Sequence, residues 1–214
     1  MSTLFTAGLD IKRQEVYRKL TSFSDDFVLA GGTAIMFQIN HRVSFDFDCF
    51  SLNPLKANLL PKVRSVFGEK LNVQVNNEDL LLFTTPSGVK IDFVYYPYPR
   101  LHKLIRTGPI PLLSLRDLST NKAHTIGRRA TWRDYVDLFF LLRSKENNLS
   151  SIISESKKRF KSEFSEKLFL EQLVYYEDVV LDPIEFIKKK YTNKQIQKYL
   201  AGETQKYTRA RLQH

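Results

Sequence analysis

The feature that most constrains this chain is a paired glycine, Gly31-Gly32, lying between two apolar runs, Phe27-Val28-Leu29-Ala30 and Ala34-Ile35-Met36-Phe37. Glycine lacks a Cβ, so a pair at the mouth of a helix allows close approach to the backbone and presents helix N–H groups to an anion. Fourteen residues after Gly32 comes Asp46-Phe47-Asp48, within a strand-like segment spanning 43–50. Side chains alternate along a strand, which predicts Asp46 and Asp48 on one face and Phe45 with Phe47 on the other. Neighbouring carboxylates repel each other, and a divalent cation relieves that repulsion. A half-buried strand that turns an acidic face to water has the same pattern. The glycine pair upstream favours the first reading, because a phosphate cradle beside paired carboxylates is the chemistry of a nucleotide-plus-metal site.

A third carboxylate, Asp92, follows in Lys90-Ile91-Asp92-Phe93, after the turn signal Pro86-Ser87-Gly88. If its strand neighbours that of Asp46 and Asp48, the three converge as hard oxygen ligands that suit Mg2+ or Mn2+ better than zinc. Lys90 shares a face with Asp92 and either neutralises it or meets phosphate. Thr33 either adds a hydroxyl to the phosphate cradle or caps the helix. Arg42 offers a triphosphate contact or a structural ion pair with Asp26 or Asp46.

Around this stretch the chain reads as α+β, a small mixed sheet flanked by helices and followed by a helical half. Residues 8–23 and 55–67 carry helical periodicity, and 71–75, 80–84 and 89–95 read as strands, the last two as a hairpin. Pro97, Pro99, Pro109 and Pro111 punctuate the chain, which suggests a first domain over 1–110 and a helical region over 111–214. Helices are expected from Leu115, from Thr131 through Leu142, and over 150–160, 165–176 and 193–200. The polar, basic tail at 204–214 is expected to fray.

The 214 residues carry a formal net charge of +10, and the excess is uneven. Residues 100–145 hold ten Lys/Arg against Asp117, Asp134 and Asp137, a local surplus of seven. A surplus so concentrated points to an anionic partner such as nucleic acid or nucleotide. Cys49 is the single cysteine, which excludes an internal disulfide and a Cys-rich zinc site. The first residues do not read as a secretory leader and no apolar run is long enough to span a bilayer, so a cytoplasmic protein is expected.

The order of these motifs carries a resemblance. Ala30-Gly31-Gly32-Thr33-Ala34, then His41-Arg42-x-Ser44-x-Asp46-x-Asp48-x-Phe50-Ser51, then Asp92, then Lys122, Arg129 and Arg133-Asp134-Tyr135-Val136-Asp137 resemble the AbiEii/AbiGii toxin branch of the polymerase-beta-like nucleotidyltransferase superfold. The resemblance covers roughly residues 25–142. It implies metal ligation by Asp46, Asp48 and Asp92, nucleotide contacts from Gly31, Gly32, Thr33, Arg42, Lys90, Lys122 and Arg129, and catalytic participation of Lys122 and Asp137. Asp134 and Asp137, three apart on a helix, can orient Lys122 or Arg129 or accept a proton. Arg133 stands where the branch often has lysine, which keeps the charge and changes its geometry.

The implied activity is Mg2+-dependent transfer of a nucleoside monophosphate from an NTP to an acceptor, as the toxin of a bacterial toxin–antitoxin or abortive-infection pair with a separate antitoxin protein. The basic window makes RNA, and specifically a tRNA end, the leading acceptor. A protein or small-molecule acceptor on the same fold, and a non-catalytic nucleotide- or RNA-binding module, are the alternatives.

Overall fold

The computed structural model describes residues 4–6, 8–128 and 131–213. The chain divides into two compact units, Met1–Pro99 with Lys103–Ser114, and Arg100–His102 with Leu115–His214. The first unit begins with helix α1 (Ile11–Lys19), whose N-cap Asp10 accepts the Arg13 amide at 2.8 Å. Strand β1 (Val28–Leu29) leads through Ala30 into α2 (Gly31–Ile39), which ends where Asn40 takes a left-handed conformation at φ 53°. Asparagine tolerates that region better than most side chains. Strand β2 (Phe47–Ser51), helix α3 (Leu59–Phe67) and strands β3 (Asn72–Asn76), β4 (Leu80–Thr84) and β5 (Lys90–Tyr95) follow.

These strands form one sheet in the order β1-β2-β5-β4-β3. The β4–β5 pair is the expected antiparallel hairpin, and β2 pairs with β5 in parallel. Burial alternates along β2 and β5, so Phe47, Cys49, Ile91 and Phe93 are enclosed while Asp48 and Asp92 sit on the less covered face. On the enclosed face the rings of Phe23, Phe67, Phe83 and Phe93 meet with centroids 4.8–6.1 Å apart. Each such fully buried aromatic contributes roughly 1.5–3 kcal/mol of transfer free energy.

The strand expected over 43–50 starts only at Phe47. Residues 43–46 are satisfied by side chains and make no ladder. Arg42 Nη1 donates to the Val43 carbonyl (2.9 Å), Arg13 Nε to that of Phe45 (3.1 Å), and Thr33 Oγ1 to that of Asp46 (2.5 Å). The Ser44 amide donates to Met36 Sδ at 3.3 Å. Strict alternation therefore fails upstream of Phe47. Phe45, expected to share a face with Phe47, is 45% exposed whereas Phe47 is 1% exposed.

The second unit is helical: α4 (Leu115–Ile126), α5 (Trp132–Arg143), α6 (Leu149–Phe160), α7 (Glu166–Gln172) and α8 (Asn193–Leu212). Trp132, Tyr135, Leu138, Phe139, Phe169 and Leu200 fill its core. Capping boxes at Asn148/Ser151 and Thr192/Gln195 start α6 and α8. Buried Asp117 accepts the amides of Leu101 (2.8 Å) and His102 (3.2 Å), and buried Arg159 donates to the Asp117 carbonyl at 2.9 Å. That network binds residues 100–102 to the helices rather than to the sheet.

The tail expected to fray is helical to Leu212. Glu166 accounts for much of this: it receives Tyr207 Oη at 2.9 Å and pairs with Arg211 and Lys157. Burial raises the Glu166 pKa, but the hydrogen bonds from Lys157, Tyr207 and Arg211 outweigh it and hold the carboxyl below its usual value. Sequence periodicity does not register an anchor contributed by a helix some forty residues away. Among the described residues no helix is long and apolar enough to cross a membrane.

His124 of α4 is 7% exposed and stacks on Phe160, with centroids 4.1 Å apart and planes 3° off parallel. Burial and then the nearby Arg128 push its pKa from 6.5 down to about 4, with Glu163 opposing. Above pH 6.5 the imidazole is neutral in both states and the shift has no effect. As pH falls from 6.5 towards 4, the unfolded chain takes up a proton that the folded chain refuses, so stability declines. Urea unfolding at pH 7 and pH 5 should show a loss for the native sequence that shrinks by about 1–2 kcal/mol in His124→Phe, which keeps the stack and removes the titration.

Candidate functional site

The glycine turn and the acidic strand are built against each other. Gly31 opens α2 with φ +62°, a conformation L side chains rarely adopt. A Cβ placed there would lie 1.8 Å from Asp48 Oδ2. The Asp48 carboxylate therefore occupies the space that a side chain at 31 would need. At Gly32 a Cβ would meet Arg42 Nη2 at 2.6 Å and Ser44 Oγ at 2.9 Å. Each glycine thus admits a functional group to the helix backbone, a carboxylate at the first and a guanidinium with a hydroxyl at the second. The Ala30 amide also donates to the Asp48 carbonyl at 2.8 Å, fixing the turn to β2.

Asp48 and Asp92 are direct partners in the parallel β2–β5 register. Paired residues of adjacent strands project to the same side, so the two carboxylates share the less covered face. Their fields reach the other side of the sheet: the buried Cys49 thiol is pushed well above its usual pKa, first by burial and then by Asp48 and Asp92. Lys90 Nζ lies 3.3 Å from Asp92 Oδ2, the ion pair that the sequence offered as one of two roles for Lys90.

The expected convergence of three carboxylates is realised for two. Asp46 precedes the strand, and its carbonyl is held by Thr33. Among the described residues no group of three His, Cys, Asp or Glu side chains is disposed to hold a metal ion. The residues present nonetheless suit a hard divalent cation. Two carboxylates meet on adjacent strands, and a backbone turn without a side chain leaves the Asp48 oxygens room. Thr33 does not cap α2, whose N-cap is Ala30, and its hydroxyl donates to the Asp46 carbonyl. Arg42 is 5% exposed, and Asp26 pairs with Lys56 (3.2 Å).

In the helical unit Lys122 of α4 is 8% exposed, with Nζ 2.6 Å from Asp134 Oδ1 and 2.7 Å from Asp137 Oδ2 on α5. Asp134 and Asp137 are 3% and 0% exposed, and Thr131, the N-cap residue of α5, donates its hydroxyl to the Asp134 carboxylate. Asp134 and Asp137, expected on one helical face, both meet Lys122, one of the two cations offered as their partner. Arg129 lies outside the described residues. No local pattern signals the Arg13–Phe45 contact, because its members are 32 positions apart and neither is a defining residue of a motif.

Comparison with known proteins adds relatives to this geometry. A protein of Aquifex aeolicus (strain VF5) described as "Uncharacterized protein aq_aa25" is 29% identical over 173 residues, covering 78% of this chain and 82% of that protein. The crystal structure of JHP933 from Helicobacter pylori superposes with a TM-score of 0.59 at 20% identity, over 99% of this chain and 100% of that one. The nucleotidyltransferase toxin MenT4 (Rv2826c) of Mycobacterium tuberculosis H37Rv superposes with a TM-score of 0.62 at 14% identity, over 91% of this chain and 80% of that one. These two likenesses establish a shared fold. The sequence profile of the nucleotidyl transferase AbiEii toxin, from type IV toxin–antitoxin systems, matches residues 16–213, and the chain belongs to that family.

Proposed function

We propose that this nucleotidyltransferase toxin transfers a nucleoside monophosphate from an NTP to RNA, with a tRNA end as the leading acceptor, and that Mg2+ or Mn2+ supports the reaction. The observation that carries the reading is the in-register Asp48–Asp92 pair with Gly31 at positive φ against the Asp48 carboxylate. Asp48 and Asp92 would hold the cation, with Asp46 the nearest further carboxylate in sequence. When bound, it would supply positive charge to the triphosphate and polarise the phosphorus under attack. Gly31 and Gly32 set the Asp48 carboxylate and the buried Arg42 guanidinium against the N-terminus of α2, and the phosphates would bind beside them. The acceptor hydroxyl gives up its proton to solvent as it attacks the α-phosphorus, a new P–O bond forms, and the bond to pyrophosphate breaks. The basic surplus over residues 100–145 supports RNA as the acceptor and makes binding salt-dependent. A separate antitoxin chain is the partner that the family implies.

Incubation with α-labelled NTPs, Mg2+ and total RNA tests this directly. Label should move to RNA, and Asp48→Asn or Asp92→Asn should each lower the rate by on the order of 10²–10³-fold, the scale of removing one charge-organising group from a reaction centre. Transfer to RNA that survives both substitutions sinks the metal assignment, and no transfer to RNA sinks the acceptor.

Lys122 carries a second expectation. Its replacement leaves two buried carboxylates facing each other, so Lys122→Met should cost about 3–5 kcal/mol, the usual loss on breaking a buried pair. Calorimetry should register a Tm lower by on the order of 10 °C. Adding Asp134→Asn and Asp137→Asn to the same chain should recover much of that stability without recovering label transfer. Recovery of both would make the triad purely structural.

A further inference from the structure

Phe45 stands immediately before Asp46, yet the site described above gives it no role. It is 45% exposed, while Phe47 two residues on is 1% exposed. Scattered exposed apolar residues need no explanation, but this ring is held in place from two directions. The Arg13 guanidinium lies over it at 4.6 Å from the centroid, and Arg13 Nε donates to the Phe45 carbonyl at 3.1 Å. Arg13 is fixed in turn by Asp10, which accepts its amide at 2.8 Å and pairs with its guanidinium. On either side of Phe45, the Ser44 amide and the Asp46 carbonyl are tied to Met36 and Thr33 of α2. A pinned aromatic with a cation on it and much of its surface in solvent is built to receive a second flat, electron-rich partner.

We propose that Phe45, backed by Arg13, is a stacking platform for a nucleobase, a positioning element three residues ahead of Asp48 for nucleotidyl transfer at the Asp48–Asp92 pair. The proposal rests on that reading of the site. Aromatic side chains stack on bases through a π-face that every base possesses, and a neighbouring guanidinium adds a cation–π contribution. The pinned backbone lowers the ordering cost of the stack. The base can arrive on the incoming NTP or on the RNA acceptor, and the chemistry at Phe45 is the same.

The test uses the full chain carrying Phe45→Trp. The protein has one tryptophan, Trp132, which is fully buried, so new exposed emission reports on position 45. Four probes are titrated separately: ATP, UTP, a single-stranded oligoribonucleotide, and inorganic tripolyphosphate, which has no base. The expected result is saturable quenching by base-containing probes and none by tripolyphosphate. Quenching by the NTPs assigns the platform to the donor, and quenching by the oligonucleotide alone assigns it to the acceptor. Phe45→Leu, which keeps apolar bulk and loses the ring, should weaken binding of the same probe by about ten- to a hundredfold, and Phe45→Tyr should retain it.

Quenching without base dependence, or Phe45→Leu binding every probe as the native protein does, overturns the proposal. A lowered Tm with unchanged binding does so too, leaving Phe45 a structural cap for Arg13. Failure here remains distinguishable from failure of the activity. In the first case the unsubstituted protein still labels RNA and Phe45→Leu labels it equally well, whereas in the second the unsubstituted protein labels nothing.

Discussion

The parallel pairing of β2 with β5 is the interaction on which the candidate site depends. The two strands are separated in sequence by α3 and the β3–β4 hairpin, and only their register brings Asp48 opposite Asp92. A slip of one residue would turn one carboxylate into the aromatic core and bring Phe47 or Cys49 to the open face. The register is secured by that penalty. Phe47, Cys49, Ile91 and Phe93 are all essentially fully enclosed, so a slipped strand would have to bury an aspartate among phenylalanines. The hydrophobic core thus positions the polar chemistry on the opposite face, with no polar contact required to do so.

The turn ahead of α2 is constrained by packing in the same way. Gly31 adopts a conformation that strains other residues, and the space it vacates is taken by an Asp48 oxygen. A side chain at 31 would fail twice, on backbone strain and on overlap. Gly32 makes the same accommodation for Arg42 and Ser44. The paired glycine is a local device for packing charged groups against a helix N-terminus, whose partial positive charge favours the carboxylate and opposes the guanidinium. Both groups are held there by the fold, at a cost that packing elsewhere in the unit offsets.

Much of this architecture was legible in the sequence. The β4–β5 hairpin, the helical second half and the shared helical face of Asp134 and Asp137 all follow from periodicity and turn residues, which are local signals. The errors arise where distant side chains override local pattern. Residues 43–46 alternate like a strand but are satisfied by Arg13, Thr33, Met36 and Arg42, so they form no ladder and Phe45 turns outward. The tail beyond Thr204 looks too polar to hold a helix, yet Glu166 anchors it through Tyr207 and Arg211. Thr33, a candidate cap by position, leaves that place to Ala30 and donates instead to the Asp46 carbonyl, a partner no local spacing registers.

Lys122 shows how burial alone separates stability from function. Taking one ammonium and two carboxylates out of water is expensive, and their mutual attraction recovers that cost only with close geometry, here 2.6 and 2.7 Å. An apolar trio of similar volume would hold α4 against α5 at least as well, so stability by itself gives little reason for charges in this position. Breaking one member is costly all the same, which makes any single substitution ambiguous between a lost fold and a lost reaction. The ambiguity lifts when all three charges are removed together. Neutral replacements restore the packing and remove the electrostatics, and whatever activity is then still missing belongs to the charge itself.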